Sequence, residues 1–259
     1  MAQRFTYTSE LPHPPEEVFA WHERPGALHR LSPPWMPVTL ESHEGLRDGD
    51  RASIRLGWGP LGVTWLAEHR DYVEGRSFTD VQVKGPFASW THRHIFEPSD
   101  EGCRLVDDIH FEMPAKPLGS VVAGCAKESL RSQFAYRHTI TANDLRLHGL
   151  YGGRRLRVAV TGSSGLIGSS LTAFLRTGGH TVIRLVRRRP VGSDELYWNV
   201  RDDEIDAEGL EGLDAVVHLA GENLMAPRWT EAKKRRIYDS RVQGTTLLAK
   251  ALAGLSRPP

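Results

Sequence analysis

Cysteine is scarce in this chain: Cys103 and Cys125 are alone in 259 residues, in unlike contexts and with no C-x-x-C pair. That excludes a disulfide framework and a zinc knuckle and fits a reducing compartment. Excess charge of one sign is also missing, with 33 Lys+Arg against 32 Asp+Glu. Such a balance speaks against nucleic acid or an anionic membrane as a partner. No apolar run approaches the ~18 residues of a membrane span, and the opening Met1-Ala2-Gln3-Arg4-Phe5-Thr6 lacks a signal peptide's apolar core. A cytoplasmic chain is expected. Its length lies near the upper limit for one core, so two domains are expected as well.

Against these absences stands one dense stretch, Arg157-Val158-Ala159-Val160-Thr161-Gly162-Ser163-Ser164-Gly165-Leu166-Ile167-Gly168. A short apolar run ends at Thr161, three glycines follow as G-x-x-G-x-x-G, and residues 166–177 read as a helix. Strand, glycine turn and helix in that order are the context of a dinucleotide-binding fingerprint. Gly162 lets the chain turn sharply, Gly165 lets backbone N–H groups approach a pyrophosphate, and Gly168 lets the helix pack on the strand. The helix N-terminus offers free N–H donors and the positive end of its dipole to phosphates. The plainer reading is a glycine-rich turn that only joins two elements.

The first 150 residues have a different rhythm. Phe5-Thr6-Tyr7-Thr8 alternates like a strand, Pro15-Glu16-Glu17-Val18-Phe19 opens a short helix with proline and acids in its first turn, and residues 25–31 form a second. Alternating runs follow, punctuated by Arg47-Asp48-Gly49-Asp50, Gly57-Trp58-Gly59-Pro60, Glu74-Gly75, Gly85-Pro86 and Asp100-Glu101-Gly102, which predicts an antiparallel meander. Beyond Pro117, Leu118, Val122, Ala126, Leu130 and Phe134 recur every four residues, widened by Val121 and Cys125, and predict a long amphipathic helix to about Ile140. Trp90, His92, His94 and Phe96 fall on one strand face. His-x-His on a strand can chelate a metal, but no third ligand sits at a telling spacing, so no metal is expected. Asp107 and Asp108 point to opposite faces, and one of them is expected to meet Arg93 or a histidine across strands.

In this order of elements, with Pro15-Glu16-Glu17-Val18-Phe19, Gly26-Ala27-Leu28 and the closing helix, residues 1–145 resemble the START/polyketide-cyclase (SRPBCC) superfamily. The resemblance implies an α+β helix-grip domain, an antiparallel sheet around a long C-terminal helix, with an apolar cavity for a lipid-like or aromatic ligand. A filled core is the alternative, and Trp58, Trp65, Phe78, Phe87, Trp90 and Phe96 would serve either. The seam is placed at Leu147–Arg155, giving a ligand-binding domain over 1–148, a linker over 149–154 and a second domain over 155–259.

In the second domain His180–Val186 is the next strand. An acidic residue ~20 positions after the fingerprint would bind a ribose 2′-OH; here Arg187-Arg188-Arg189 takes that place. Guanidinium groups suit a 2′-phosphate, so NADP(H) is favoured over NAD(H), with a solvated basic loop as the alternative. Tyr197–Val200 is a third strand and Asp214–Gly221 a fourth, whose small terminal residues Ala220 and Gly221, after Leu219, would let a cofactor pass. His218 reads as a satisfied core histidine. Pro227-Arg228-Trp229-Thr230 leads into a helix to about Leu252, with Thr230 as N-cap. Its basic run reads as a solvated face, since no aromatic stacking platform accompanies it.

The motifs Thr161–Gly168, Arg187-Arg188, His218–Asn223, Arg228-Trp229-Thr230 and Asp239-Ser240-Arg241-Val242 closely resemble the extended short-chain dehydrogenase/reductases, in particular the NAD(P)-dependent epimerase/dehydratase-like branch. That implies a partial α/β Rossmann domain with a parallel sheet of about four strands in the order 3-2-1-4. The cofactor-binding residues expected are Gly162, Ser163, Ser164, Gly165, Leu166, Ile167, Gly168, Arg187, Arg188, Leu219, Ala220 and Gly221. The superfamily's catalytic Ser and Tyr-x-x-x-Lys would fall beyond residue 259, so no catalytic residue is assigned and the chain is expected to be C-terminally truncated or to bind without converting. The fourth strand, left at an edge, is an expected site of self-association. Two functions stay open: an NADP(H)-dependent oxidoreductase or epimerase-like protein with an accessory apolar-ligand domain, or a non-catalytic ligand- and cofactor-binding module.

Overall fold

A computed structural model describes residues 2–57, 59–113, 119–151, 153–225 and 228–259. Trp58, Pro117, Leu118, Gly152 and Pro227, invoked above, lie outside the described residues, as do the side chains of Val121, Val122 and Cys125. The chain divides into two compact units, Met1–Gly152 and Gly153–Pro259. No described helix is long and apolar enough to cross a membrane.

The first unit runs β1 (Gln3–Leu11), α1 (Pro15–Glu23), α2 (Ala27–Leu31), then β2 (Val38–His43), β3 (Arg51–Leu56), β4 (Val63–Val73), β5 (Ser77–Lys84), β6 (Ser89–Ser99) and β7 (Gly102–Glu112), and closes with α3 (Gly119–Leu150). Among the described residues its strands form one antiparallel sheet in the order β1-β7-β6-β5-β4-β3-β2. Hairpin connections explain that order except at β1, which crosses to β7 after the two short helices. Alternation sends Trp90 and Phe96 of β6 and Leu105, Ile109 and Phe111 of β7 inward. They meet Val18, Phe19 and Trp21 of α1 and Leu130, Phe134 and Leu145 of α3. Each such buried side chain contributes about 1.5–3 kcal/mol.

Helix α3 runs ten residues past the expected end at Ile140. Its inward face changes chemistry there: after Leu130 and Phe134 come His138, Thr141 and Asp144, all buried. Hydrophobic periodicity cannot follow a stripe whose later members are polar. The expected linker therefore opens with two residues, Gly149 and Leu150, that are still helical; a glycine in a last turn is a modest cost. Asp144 accepts two hydrogen bonds from the Arg30 guanidinium, at 2.8 and 2.6 Å, which tie α2 to α3.

The second unit contains β8 (Arg157–Thr161), α4 (Leu166–Thr177), β9 (Thr181–Val186), β10 (Glu195–Asn199), β11 (Glu204–Ile205), β12 (Ala215–His218) and α5 (Glu231–Ala253). The sheet order is β11-β10-β9-β8-β12, parallel except for β11. The expected 3-2-1-4 arrangement is present, and the two-residue β11 extends it by a hairpin that no alternation in the sequence announces. Among the described residues strand β12 has only β8 as a neighbour and is shorter than expected, with Val216 and Val217 partly rather than fully buried. Thr230 caps α5, its side chain accepting from the Lys233 N–H.

Two glycines position the turn between β8 and α4. Gly162 has φ +66, and a Cβ there would stand 2.8 Å from the Ala220 nitrogen. A Cβ on Gly168 would stand 2.1 Å from the Gly162 carbonyl oxygen, so helix and turn touch through backbone.

Replacing Arg30 with Met should cost about 3–5 kcal/mol, because it strands a buried carboxylate; Arg30→Met with Asp144→Leu should recover most of that loss in denaturant unfolding of the first unit. Gly168→Ala, despite the roughly 1 kcal/mol that alanine adds to a helix interior, should lower the thermal midpoint of the second unit measured by calorimetry.

Candidate functional site

Two places carry functional chemistry, one in each unit. In the first unit the sheet and its helices enclose a cavity of about 340 Å³, so the core is not filled. Its wall is largely apolar, with Leu56, Trp65, Phe78, Phe87, Trp90 and Leu130 among the lining residues. Four of the aromatics expected to serve a cavity or a core thus line the cavity, while Phe96 packs in the core beside Phe19.

One side of the cavity is polar and ionised. Cross-strand register sets it: His69 of β4 opposes Asp80 of β5, Asp80 opposes His92 of β6, and His94 opposes Asp107 of β7. The Asp107 carboxylate is buried and meets three imidazoles, His92 Nε2 at 2.7 Å, His94 Nδ1 at 2.8 Å and His138 Nε2 at 2.6 Å. Asp80 reaches His94 Nε2 at 3.2 Å and His69 Nδ1 at 2.7 Å. Asp107 therefore meets histidines across strands, as expected of one of the pair; Asp108 points outward and accepts from Arg4.

Burial would raise both carboxyls, but the histidines outweigh it: bonds from His69 and His94 hold Asp80, and the charge of His94 with bonds from His138 and His92 holds Asp107, well below the usual carboxylate range. Burial works against the His94 imidazolium too, yet Asp107 and Asp80 carry its pKa up to about 9. Burial, and then the charge on His94, brings His92 down to about 4. At neutral pH one cationic and one neutral imidazole thus lie side by side, ring centroids 3.8 Å apart, at the edge of an apolar cavity. Such a pair can hold an anionic oxygen or hand a proton to one. Asp80 and His138 gave no signal at fixed spacing; the inward parity Phe78-x-Asp80 and the four-residue step from Phe134 to His138 were the available clues.

In the second unit the expected cofactor residues cluster at the C-terminal ends of β8 and β12. Thr161 Oγ1 accepts hydrogen bonds from the Leu219 and Ala220 N–H groups at 3.0 and 3.1 Å and lies 2.7 Å from His218 Nδ1. Gly162 passes against the Leu219–Ala220 backbone, which requires the absence of a side chain. Ser164, Gly165, Leu166 and Ile167 are exposed, Ser163 is half-buried and Gly168 is buried. Leu166 at 92% and Ile167 at 65% exposure are apolar groups left open at a helix N-terminus. Gly221 is exposed and faces the Arg241 guanidinium. A glycine cradle of this shape fits a dinucleotide pyrophosphate.

The two arginines are not equivalent. Arg188 makes a fork with Glu195, Nη1 to Oε2 at 2.8 Å and Nη2 to Oε1 at 2.5 Å. Arg184 also reaches Glu195, and the Val191 N–H donates to it. The bond from Arg188, then that from Val191, lowers the Glu195 carboxyl to about 2. Arg187 is exposed and has no partner among the described residues. By sequence both guanidiniums are expected to be available; Glu195, at the start of β10, takes up one of them.

Comparisons with known proteins bear on both units. Residues 11–139 match the family described as polyketide cyclase / dehydrase and lipid transport, and residues 158–257 match the NAD dependent epimerase/dehydratase family. An epimerase family protein of Mycobacterium bovis is 51% identical over 96 residues, 37% of this chain and 32% of the relative. The human epimerase family protein SDR39U1 is 43% identical over 106 residues, 40% of this chain and 34% of its own length. A crystal structure described as the nucleoside-diphosphate sugar epimerase from Corynebacterium glutamicum matches with a TM-score of 0.77 at 32% identity, covering 98% of this chain and 52% of that one. The chain thus spans about a third of the length of these curated relatives and about half of the solved one. It matches two families in series, the polyketide cyclase-like family over residues 11–139 and the NAD dependent epimerase/dehydratase family over residues 158–257.

Proposed function

We propose that the second unit binds NADP(H) in preference to NAD(H) for an oxidoreductase or epimerase-like reaction, while the first unit holds an apolar small molecule. The observation that carries the reading is the backbone contact of Gly162 with Leu219–Ala220, beside an exposed helix N-terminus. That arrangement leaves room for a pyrophosphate where any side chain would intrude. The family relation of residues 158–257 supports a nicotinamide dinucleotide, and the relatives' own descriptions support epimerase-like chemistry.

Preference for the 2′-phosphate rests on Arg187, whose exposed guanidinium has no partner among the described residues and stands where an NAD-selective site would carry a carboxylate. Arg188, held by Glu195, contributes less in this reading. Tyr136 is followed four positions on by Ile140, Tyr197 by Arg201 and Tyr238 by Val242, so none of these three forms a Tyr-x-x-x-Lys pair.

Fluorescence titration of the chain with NADPH and NADH tests the cofactor assignment. NADPH should bind more tightly, and Arg187→Ala should weaken it about tenfold, the loss of one charge-assisted contact, with NADH unchanged and Arg188→Ala milder. Equal affinity for the two cofactors would remove the 2′-phosphate argument. For the first unit, Ala67→Trp places an indole in the cavity that Ala67 lines; it should abolish the fluorescence enhancement of a bound apolar dye while leaving far-UV circular dichroism intact.

A further inference from the structure

The polar wall of the cavity has the form of a metal site. Ligand atoms of Asp80, His92 and His94, one from each, lie within 4.8 Å of one another. His94 Nε2 is 3.2 Å and His92 Nδ1 3.8 Å from the same oxygen, Asp80 Oδ2. A first-row divalent cation bonded at about 2.0–2.2 Å to nitrogen and oxygen separates its ligand atoms by about 3.0–3.4 Å. The His94 contact already falls in that range, and the His92 contact lies outside it and would have to shorten on binding.

The surroundings match what metal ligands need. Asp107 Oδ1 takes the far nitrogen of each ring, His92 Nε2 at 2.7 Å and His94 Nδ1 at 2.8 Å. The His92 contact is a hydrogen bond, and the near nitrogens of both rings face Asp80; a carboxylate behind each ring is the outer-sphere pattern common to metal-bound imidazoles, and a bound cation would displace the proton through which His94 Nε2 meets Asp80. His138 steadies Asp107 from α3 at 2.6 Å, and His69 Nδ1 lies 2.7 Å from the other Asp80 oxygen. Both ligand histidines are buried, and both line the cavity. Two carboxylates, Asp80 half-buried and Asp107 buried, match the charge of a divalent ion.

We propose that Asp80, His92 and His94 form a binding site for a divalent transition-metal ion whose remaining coordination positions open into the apolar cavity. Two imidazole nitrogens with one carboxylate oxygen suit zinc, iron(II), cobalt or nickel rather than the oxygen-seeking calcium or magnesium. An oxygen-bearing apolar molecule in the cavity would complete the coordination sphere. The assignment stands apart from the cofactor reading of the second unit.

The test is titration of the untagged, chelator-stripped full chain with Co²⁺ and then Zn²⁺, following the visible cobalt bands. One equivalent per chain should bind, and Zn²⁺ should displace Co²⁺. Asp80→Asn and His94→Gln should each abolish the bands, and Asp107→Asn should weaken binding about 10–100-fold. Folding of every variant is checked by circular dichroism. Should a variant unfold, X-ray absorption of the cobalt-loaded unsubstituted chain decides, with two imidazole nitrogens and a carboxylate oxygen expected in the inner shell. Absence of stoichiometric cobalt binding, folded variants that bind as the parent does, or an inner shell without imidazole would overturn the proposal.

Discussion

The first unit turns on the Asp107 carboxylate. It is buried on β7, and an ionised carboxylate in such a place is tolerated only when hydrogen-bonded and charge-compensated. The charge is met by His94, and hydrogen bonds come from His92 on the adjacent strand and His138 on α3, so one group fixes strand register and helix placement together. A one-residue slip between β6 and β7 would turn both histidines to the outer face and leave the carboxylate stranded. The Arg30–Asp144 fork repeats the logic one turn and a half further along α3, where it holds α2. Between these two polar ties the apolar side chains need not fill all the space, and the cavity is what remains.

Legibility in the sequence followed the kind of signal each element leaves. Alternation and turn residues announced the antiparallel strands of the first unit, and the glycine spacing announced β8, the turn and α4, whose bounds 166–177 match the expectation. What stayed hidden depends on contacts between residues far apart. Asp80, in Asp80-Val81-Gln82, looks like a surface residue until β5 pairs with β6 and brings it opposite His92. The last part of α3 is helical because His138 and Asp144 find ionic partners, which periodicity of apolar residues does not record. Strand β11 is two residues long, too short for any pattern.

The arginines after β9 show the same limit from another side. Their position in the chain suggested a shared role, yet one is drawn toward a carboxylate seven residues on. Glu195 is reached by Arg184 as well as Arg188, so the local charge is partly neutralised within the protein itself. A basic run is therefore less basic, at the place where a ligand would arrive, than its letters imply.

Thr161 has a further bearing on how the glycine turn behaves. Its fully buried side-chain oxygen gathers two backbone N–H groups from the end of β12, locking that strand end to the end of β8. A turn anchored in this way has little conformational freedom left to lose when a ligand settles on it. Association is then governed by encounter rather than by loop ordering, and encounter with an anion is sensitive to ionic strength wherever exposed guanidinium groups steer it.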